Sequence, residues 1–402
     1  MNNVKSDFPI LDKKIRDKTI TYLDSAASTQ KPKQVIHSIS EFLENSYENV
    51  HRGMNSLSID ATDLYEKSRD VAKSFINANS TNEIIFTRGA TDSINIIANS
   101  LAEHLNKGDK IVVTELEHHS NYLPWMHLCK KLELELKIIP ISKEGILSED
   151  EIINNCDDTT KVLSLTHMSN VTGQILDIKK IKQEINKDIY VAVDGCQSIA
   201  HLNIDVKDLN CDFYSFSSHK LYGPSGIGIM FGKEDILNQL NPPTLGGGMI
   251  NEVSSNDFSY AMLPNKFEPG TPSIEAAIGF KAAMEYLNNI NYQDYFSKEK
   301  KLRSTLISAL NDFEEIEIYG SNKNGNATSI VSFNIKKQNF NDIATFLDQY
   351  GIMIRGGHHC CQPFMKKLGI PGSCRVSFGI YNDINDIDHF VDSMKKTLKL
   401  LQ

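Results

Sequence analysis

The chain has 402 residues, of which 40% are hydrophobic and 23% charged, and its formal net charge is −9. That length suits two or three domains at roughly 150 residues each, and the composition is that of a soluble globular protein. The acidity disfavours a nucleic-acid partner, because phosphate binding needs clustered Lys and Arg. No apolar run approaches the roughly 18 residues that span a bilayer.

The first 18 residues alternate charged and apolar side chains and lack a signal-peptide core. The seven cysteines (Cys129, Cys156, Cys196, Cys211, Cys360, Cys361, Cys374) are odd in number and scattered, with no C-x-x-C pair. That is not a disulfide framework, and a reducing cytoplasm is the compartment it suits.

From about Tyr22 to about Pro272, strand and helix patterns alternate. The strand patterns are 84–86, 111–113, 136–139, 161–165, 190–193, 213–216 and 226–230; helical patterns between them include 94–105 and 178–185. This alternation predicts an α/β fold with a largely parallel, doubly covered sheet. After Pro272 the chain reads as a helical region over 273–310, a strand over 330–333, a helix over 340–350 and a strand over 352–354. A cysteine-bearing loop, a strand over 375–378 and a terminal helix complete a smaller α+β unit, and 321–326 is a polar loop.

Lys220 stands just past the strand pattern 213–216, in Ser217-Ser218-His219-Lys220, with Gly223-Pro224 as a turn signal. Open α/β sheets bind ligands at the carboxyl ends of their strands. A partly desolvated lysine there can lose its proton and attack a carbonyl as an amine, although a solvated loop lysine is the commoner outcome. Five further features lie at strand ends or helix starts. Arg88-Gly89-Ala90-Thr91 opens a helix and suits a phosphate, or Thr91 is a plain N-cap. Asp194 ends an apolar strand, where a protonated ring nitrogen or a local turn could partner it. His118, in Glu117-His118-His119, could stack on a planar cofactor, transfer a proton as a catalytic group, or belong to a polar loop. The histidines and cysteines around 118 and 358 are zinc-ligand types, but neither cluster has a structural-zinc spacing. Arg355-Gly356-Gly357-His358-His359-Cys360-Cys361 places a thiol among basic neighbours, which favours a thiolate at Cys360. Arg375 could clamp a carboxylate bidentately or form a surface ion pair.

In order along the chain, Tyr22-Leu23-Asp24-Ser25-Ala26-Ala27, Val50-His51-Arg52-Gly53 and Glu117-His118-His119 with Pro124-Trp125 are followed by Thr166-His167-Met168-Ser169-Asn170 and Val193-Asp194-Gly195-Cys196-Gln197. Then come Ser217 to Pro224, Gly246 to Ile250, Phe267 to Pro272 and the loop from Arg355 to Pro363. This ordered set resembles the SUF-type (group II) cysteine desulfurases, within the class V aminotransferase family of pyridoxal-phosphate enzymes. The resemblance implies a fold-type I architecture, with a large cofactor-binding domain over 19–286 and a small domain over 287–402 with 1–18. It implies that Lys220 binds pyridoxal 5'-phosphate covalently, that Asp194 partners the ring nitrogen, that Gln197 donates to the phenolic oxygen and that His118 stacks on the ring. Thr91, Ser217 and His219 would cradle the phosphate, and Thr271 would reach the phosphate of a neighbouring subunit in a homodimer. Asn170, Arg355 and Arg375 resemble the groups that bind the substrate carboxylate and hold the ring, and Cys360 resembles the nucleophile that accepts sulfur.

The activity so implied converts L-cysteine to L-alanine, leaves a persulfide on Cys360 and feeds iron–sulfur cluster assembly. A sulfur-acceptor protein of the SufE or SufU kind would take that sulfur. The alternative is selenocysteine lyase or cysteine sulfinate desulfinase activity at the same site. No metal, nucleic acid or membrane is implied. Two departures stand out: Cys361 directly follows Cys360 where a small residue is common, so a second thiol could resolve the persulfide or form an adjacent disulfide. Ala90 stands where Thr is frequent.

Overall fold

The computed structural model describes residues 4–320 and 326–401, so most of the predicted polar loop at 321–326 lies outside the described residues. Seven strands form the large sheet: β1 Ile84–Thr87, β2 Lys110–Thr114, β3 Glu135–Ile139, β4 Thr160–Thr166, β5 Tyr190–Asp194, β6 Phe213–Ser217 and β7 Gly228–Gly232. Their spatial order is β1-β7-β6-β5-β4-β2-β3. Only β7 runs against its neighbours, being antiparallel to both β1 and β6. The other neighbouring pairs are parallel. The sequence pattern 226–230 starts two residues early, because Gly226 adopts a positive φ of 83° in the turn before β7.

Runs such as Ile-Ile-Phe-Thr in β1, Lys-Ile-Val-Val-Thr in β2 and Phe-Tyr-Ser-Phe-Ser in β6 are buried along their whole length. Continuous rather than alternating burial is what a sheet covered on both faces requires. One face packs Ile94, Ile97 and Trp125 against Val113, Phe213 and Met230. The larger core holds Val112, Leu163, Val191, Tyr214, Phe216 and Ile229 with Phe280 and Met284.

A second, antiparallel sheet comprises β8 Ile316–Tyr319, β9 Ile330–Ile335, β10 Arg355–Gly357 and β11 Ser373–Ser377, in the order β8-β9-β11-β10. Its own core includes Leu302, Leu306, Phe333, Ile343, Phe390 and Met394. The helical region 273–310 is two helices, Ile274–Asn288 and Tyr292–Asn311; Asn291 caps the second by accepting from the amides of Gln293 and Asp294. The pattern 352–354 yields only Ile352–Met353, which pairs in parallel with Thr21–Tyr22. That pairing carries the N-terminal segment back to the second sheet, and Asp24 then bridges to Ser377.

β1, β2, β4, β5 and β6 all deliver their carboxyl ends to one edge, which β7 joins with its first residue. There Gly89 has φ 147° and Gly228 pairs with both Thr87 and Ser217. A Cβ on Gly228 would lie 2.6 Å from Gly89 Cα and 2.6 Å from Phe216 O. Backbone has to move to accept it, so Gly228→Ala is expected to lower stability by about 1–3 kcal/mol. Urea unfolding would read this as a lower midpoint at unchanged m-value; an unchanged midpoint would contradict the close approach.

Candidate active site

A cleft of about 430 Å³ opens where the carboxyl ends of the large sheet meet the second sheet. Its lining unites residues that are far apart in sequence: Thr91, His118, Asn170, Asp194, Ser217, His219, Lys220, Arg355, Cys360 and Arg375. Lys220 closes a single 3-10 turn, Ser218–Lys220, directly after β6. The segment Ser28–Thr29 holds this turn: Thr29 N donates to His219 O at 3.0 Å, and Thr29 Oγ1 accepts Tyr222 N at 2.7 Å. Asp194 ends β5, is buried, and accepts the Cys196 amide through Oδ1 at 2.9 Å, which leaves its second oxygen for a proton-bearing ring nitrogen.

The helix Ala90–Leu101 begins at the cleft without a side-chain cap, because Gly89 occupies the cap position. Its first amide, Ala90 N, donates to Ser217 Oγ at 2.8 Å, and Thr91 Oγ1 lies 2.7 Å from Ser120 Oγ. A helix start with the three hydroxyls of Thr91, Ser120 and Ser217 around it is suited to a phosphate. His118 caps the helix His119–Leu132, its Nδ1 accepting Ser120 N at 3.1 Å. Burial, and then the Lys220 and His119 charges, push its pKa down to about 3. Burial and Lys220 likewise lower that of His219 to about 4. Both rings are therefore neutral at physiological pH. A lysine amine, a buried carboxylate, a neutral imidazole and a helix start lined by hydroxyls are side chains of the kinds that fit pyridoxal phosphate.

Arg355 and Arg375 are direct cross-strand partners of β10 and β11, and Asp24 lies between them. Arg355 Nη2 donates to Asp24 Oδ2 at 2.9 Å, and Arg375 Nη2 to Oδ1 at 3.3 Å. Arg375 also donates to Asn170 O at 3.0 Å, whereas its Nε is buried without a partner. Asn170 Nδ2 donates to His359 O at 2.7 Å, so this side chain ties down the cysteine loop.

That loop holds His359 and Cys360 in consecutive left-handed conformations, φ 51° and 52°. Two such non-glycine residues cost of order 1–3 kcal/mol each and persist only where surroundings enforce them. Here Cys360 O accepts His119 N at 2.7 Å, and Cys360 N donates to His358 Nδ1 at 3.0 Å. The two cysteines diverge as a result. Cys360 is partly exposed and lines the cleft, whereas Cys361 is fully buried with Sγ 3.7 Å from Glu115 O. Burial pushes the Cys361 thiol well up, which suppresses its thiolate.

Two expected residues stand apart from this lining. Gln197 lies behind it, its Nε2 donating to Ala26 O at 2.9 Å. Thr271 lines a separate cleft with Arg88, Gly226 and Glu268. Among the described residues no group of three or more His, Cys, Asp or Glu side chains converges to hold a metal ion. Sequence reasoning passed over Asp24 and Glu117, although both stand in the quoted motifs. Asp24 acquires its meaning only through arginines more than 300 positions away. Glu117 is fully buried beneath His118, accepting Thr114 Oγ1 at 2.8 Å and Asn121 Nδ2 at 2.6 Å.

Burial raises the Glu117 pKa to about 8, against the lowering effect of Asn121 and Thr114. A folded-state value above the ordinary carboxylate value of 4.5 means that its contribution to stability is complete below about pH 4.5 and is lost as pH rises through about 8. The melting temperature of Glu117→Gln should therefore fall less than that of the parent protein across this window. Parallel pH profiles would contradict the raised pKa.

The sequence model of the family Aminotransferase class-V matches residues 21–390. A probable cysteine desulfurase of Staphylococcus aureus (strain Mu50 / ATCC 700699) is 42% identical over 399 residues, covering 99% of this chain and 96% of the relative. Among solved structures, the apo cysteine desulfurase from Thermococcus onnurineus NA1 superposes with a TM-score of 0.94 at 35% identity, covering 98% of this chain and 97% of that one. The cysteine desulfurase CsdA (S-sulfonic acid) from Escherichia coli does so with a TM-score of 0.90 at 33% identity, covering 98% of each chain. Family match, full-length relatives and the Lys220 cleft agree: the chain belongs to the class-V aminotransferase family, alongside its cysteine desulfurases.

Proposed function

We propose that the protein is a pyridoxal-phosphate-dependent cysteine desulfurase that converts L-cysteine to L-alanine and keeps the sulfur as a persulfide on Cys360. The observation that carries this reading is one cleft lined by both Lys220 and Cys360, an amine that can hold the cofactor and a thiol that can receive sulfur. When bound, pyridoxal phosphate supplies the electron sink that weakens the substrate's Cβ–S bond. Lys220 would hold the cofactor and would carry protons at its amine. Asp194 would pair with the ring nitrogen and His118 would cover the ring face; Gln197, behind the lining with one N–H on Ala26 O, would serve the phenolic oxygen with its second N–H. Thr91, Ser217 and His219 seat the phosphate.

Arg375, which lines the cleft, clamps the substrate carboxylate, while Arg355 and Asn170 hold the surrounding loop. Cys360 Sγ then takes the substrate sulfur: an S–S bond forms, the Cβ–S bond breaks, and a proton completes alanine. The sum, cysteine plus enzyme thiol giving alanine plus enzyme persulfide, balances without an outside oxidant.

The same reading includes a large domain over 19–286 and a small domain over 287–402 with 1–18. It also includes a homodimer, in which Thr271 reaches the partner's phosphate, as its place outside this chain's cleft suggests. A sulfur-acceptor protein of the SufE or SufU kind removes the persulfide for iron–sulfur cluster assembly, in the cytoplasm. No described helix is long and apolar enough to cross a membrane. Selenocysteine lyase activity is the second reading, because the same clamp accepts the selenium analogue.

Cys360→Ala is expected to keep the visible absorbance of bound cofactor while alanine formation from L-cysteine falls more than about 100-fold. Cys361→Ala should keep most of the activity. Unchanged cysteine turnover in Cys360→Ala would overturn the assigned nucleophile, and retained selenocysteine turnover in that variant would support the second activity.

A further inference from the structure

The loop that carries Lys220 is held in a strained shape from a point outside the cleft. Leu221 N and Gly223 N both donate to Ser218 O, at 2.8 and 3.1 Å, so 218–223 closes on itself. Within it Tyr222 adopts a left-handed backbone, φ 61°, which a bulky side chain avoids. Such a residue persists only where its surroundings over-determine it. Tyr222 cannot relax to an ordinary φ without shifting this loop, and Lys220 stands two residues before it.

Tyr222 is anchored at the tip of its side chain. The ring is fully buried, and Phe8 and Tyr381 meet it edge-on with centroids at 6.0 and 6.1 Å. Its hydroxyl accepts from Ile380 N at 3.0 Å and lies 3.4 Å from the hydroxyl of Tyr295. Tyr295, on the helix Tyr292–Asn311, donates to Glu299 Oε1 at 2.6 Å. A carboxylate only accepts, so the single Tyr295 hydrogen is committed there and the hydrogen between the two hydroxyls is that of Tyr222. Glu299 is itself fully buried, with His201 Nδ1 at 2.8 Å from Oε1. Hydrogen bonds therefore run in one direction, from Tyr222 through Tyr295 to Glu299, and none of the three residues lines the Lys220 cleft. We propose that Tyr295 is a positioning residue for Lys220: by accepting the Tyr222 hydrogen it keeps 218–223 in the strained form that aims the lysine amine into the cleft. Without the Tyr295 hydroxyl, Tyr222 keeps a buried donor with no acceptor, a cost of the same size as the backbone strain it tolerates. The loop then relaxes and the amine leaves its place. This inference rests on the pyridoxal-phosphate reading of Lys220.

Tyr295→Phe in the cofactor-loaded protein removes one oxygen atom and leaves the ring. Its kcat with L-cysteine should fall about tenfold, because a misplaced proton-carrying group slows the reaction. KM should stay within about twofold of the parent, because the Arg375 clamp is untouched. The pH midpoint at which the visible absorbance of the bound cofactor changes should move by about half a unit or more, since it depends on how the lysine nitrogen meets the ring. Tyr222→Phe loses the same anchor from its other end, and gives the same readings should Tyr295→Phe fail to fold. The double variant should lose no more kcat than the worse single variant, as expected of residues that act through one contact. A Tyr295→Phe protein that melts earlier yet keeps the parent's kcat and absorbance midpoint would overturn the proposal, because its role would then be structural alone. Losses that multiply in the double variant would overturn it too. Failure of the pyridoxal-phosphate reading looks different: the parent protein itself would then take up no cofactor and show no visible band.

Discussion

The site depends on one carboxylate placed between two guanidinium groups. Arg355 and Arg375 stand opposite each other on neighbouring strands, an arrangement of like charges that is unfavourable alone. Asp24 accepts from both. This ties the N-terminal segment to the second sheet and fixes where that sheet meets the large one. Asp24 and Arg375 are buried whereas Arg355 is half exposed; removing Asp24 therefore strands the buried Arg375 charge, which is costlier than losing a surface ion pair. Because Arg355 opens the segment that ends in Cys360, the same contact sets how the thiol approaches Lys220.

The cysteine loop shows how geometry separates two chemically identical neighbours. Successive left-handed residues at His359 and Cys360 turn the first thiol toward the cleft and bury the second against Glu115. A thiol in apolar surroundings is disfavoured as a thiolate and is reached poorly by any partner. Cys361 thus reads as a buried packing residue that begins the helix Gln362–Leu368, and sequence adjacency gave no hint of this difference.

Much of the architecture was legible because its signals are local. All seven large-sheet strands coincide with apolar runs bounded by turn residues, and Lys220, Asp194 and Thr91 could be placed at strand ends by counting along the chain. What escaped was non-local. The reversed direction of β7, the pairing of Ile352–Met353 with Thr21–Tyr22 and the Asp24 contact all depend on segments remote in sequence. Short strands such as Arg355–Gly357 carry little propensity of their own and are recruited by their partner, so a glycine-rich stretch read as loop became an edge strand.

The central claim is that sulfur leaves the substrate for Cys360 and for no other thiol. Mass spectrometry of the cofactor-loaded protein after brief exposure to L-cysteine tests this most directly, with fragmentation of the peptide that contains Cys360 and Cys361. A gain of one sulfur atom localised to Cys360, and reversed by a reductant, is the predicted result. Sulfur found on Cys361, or on neither residue while alanine accumulates, would contradict the account.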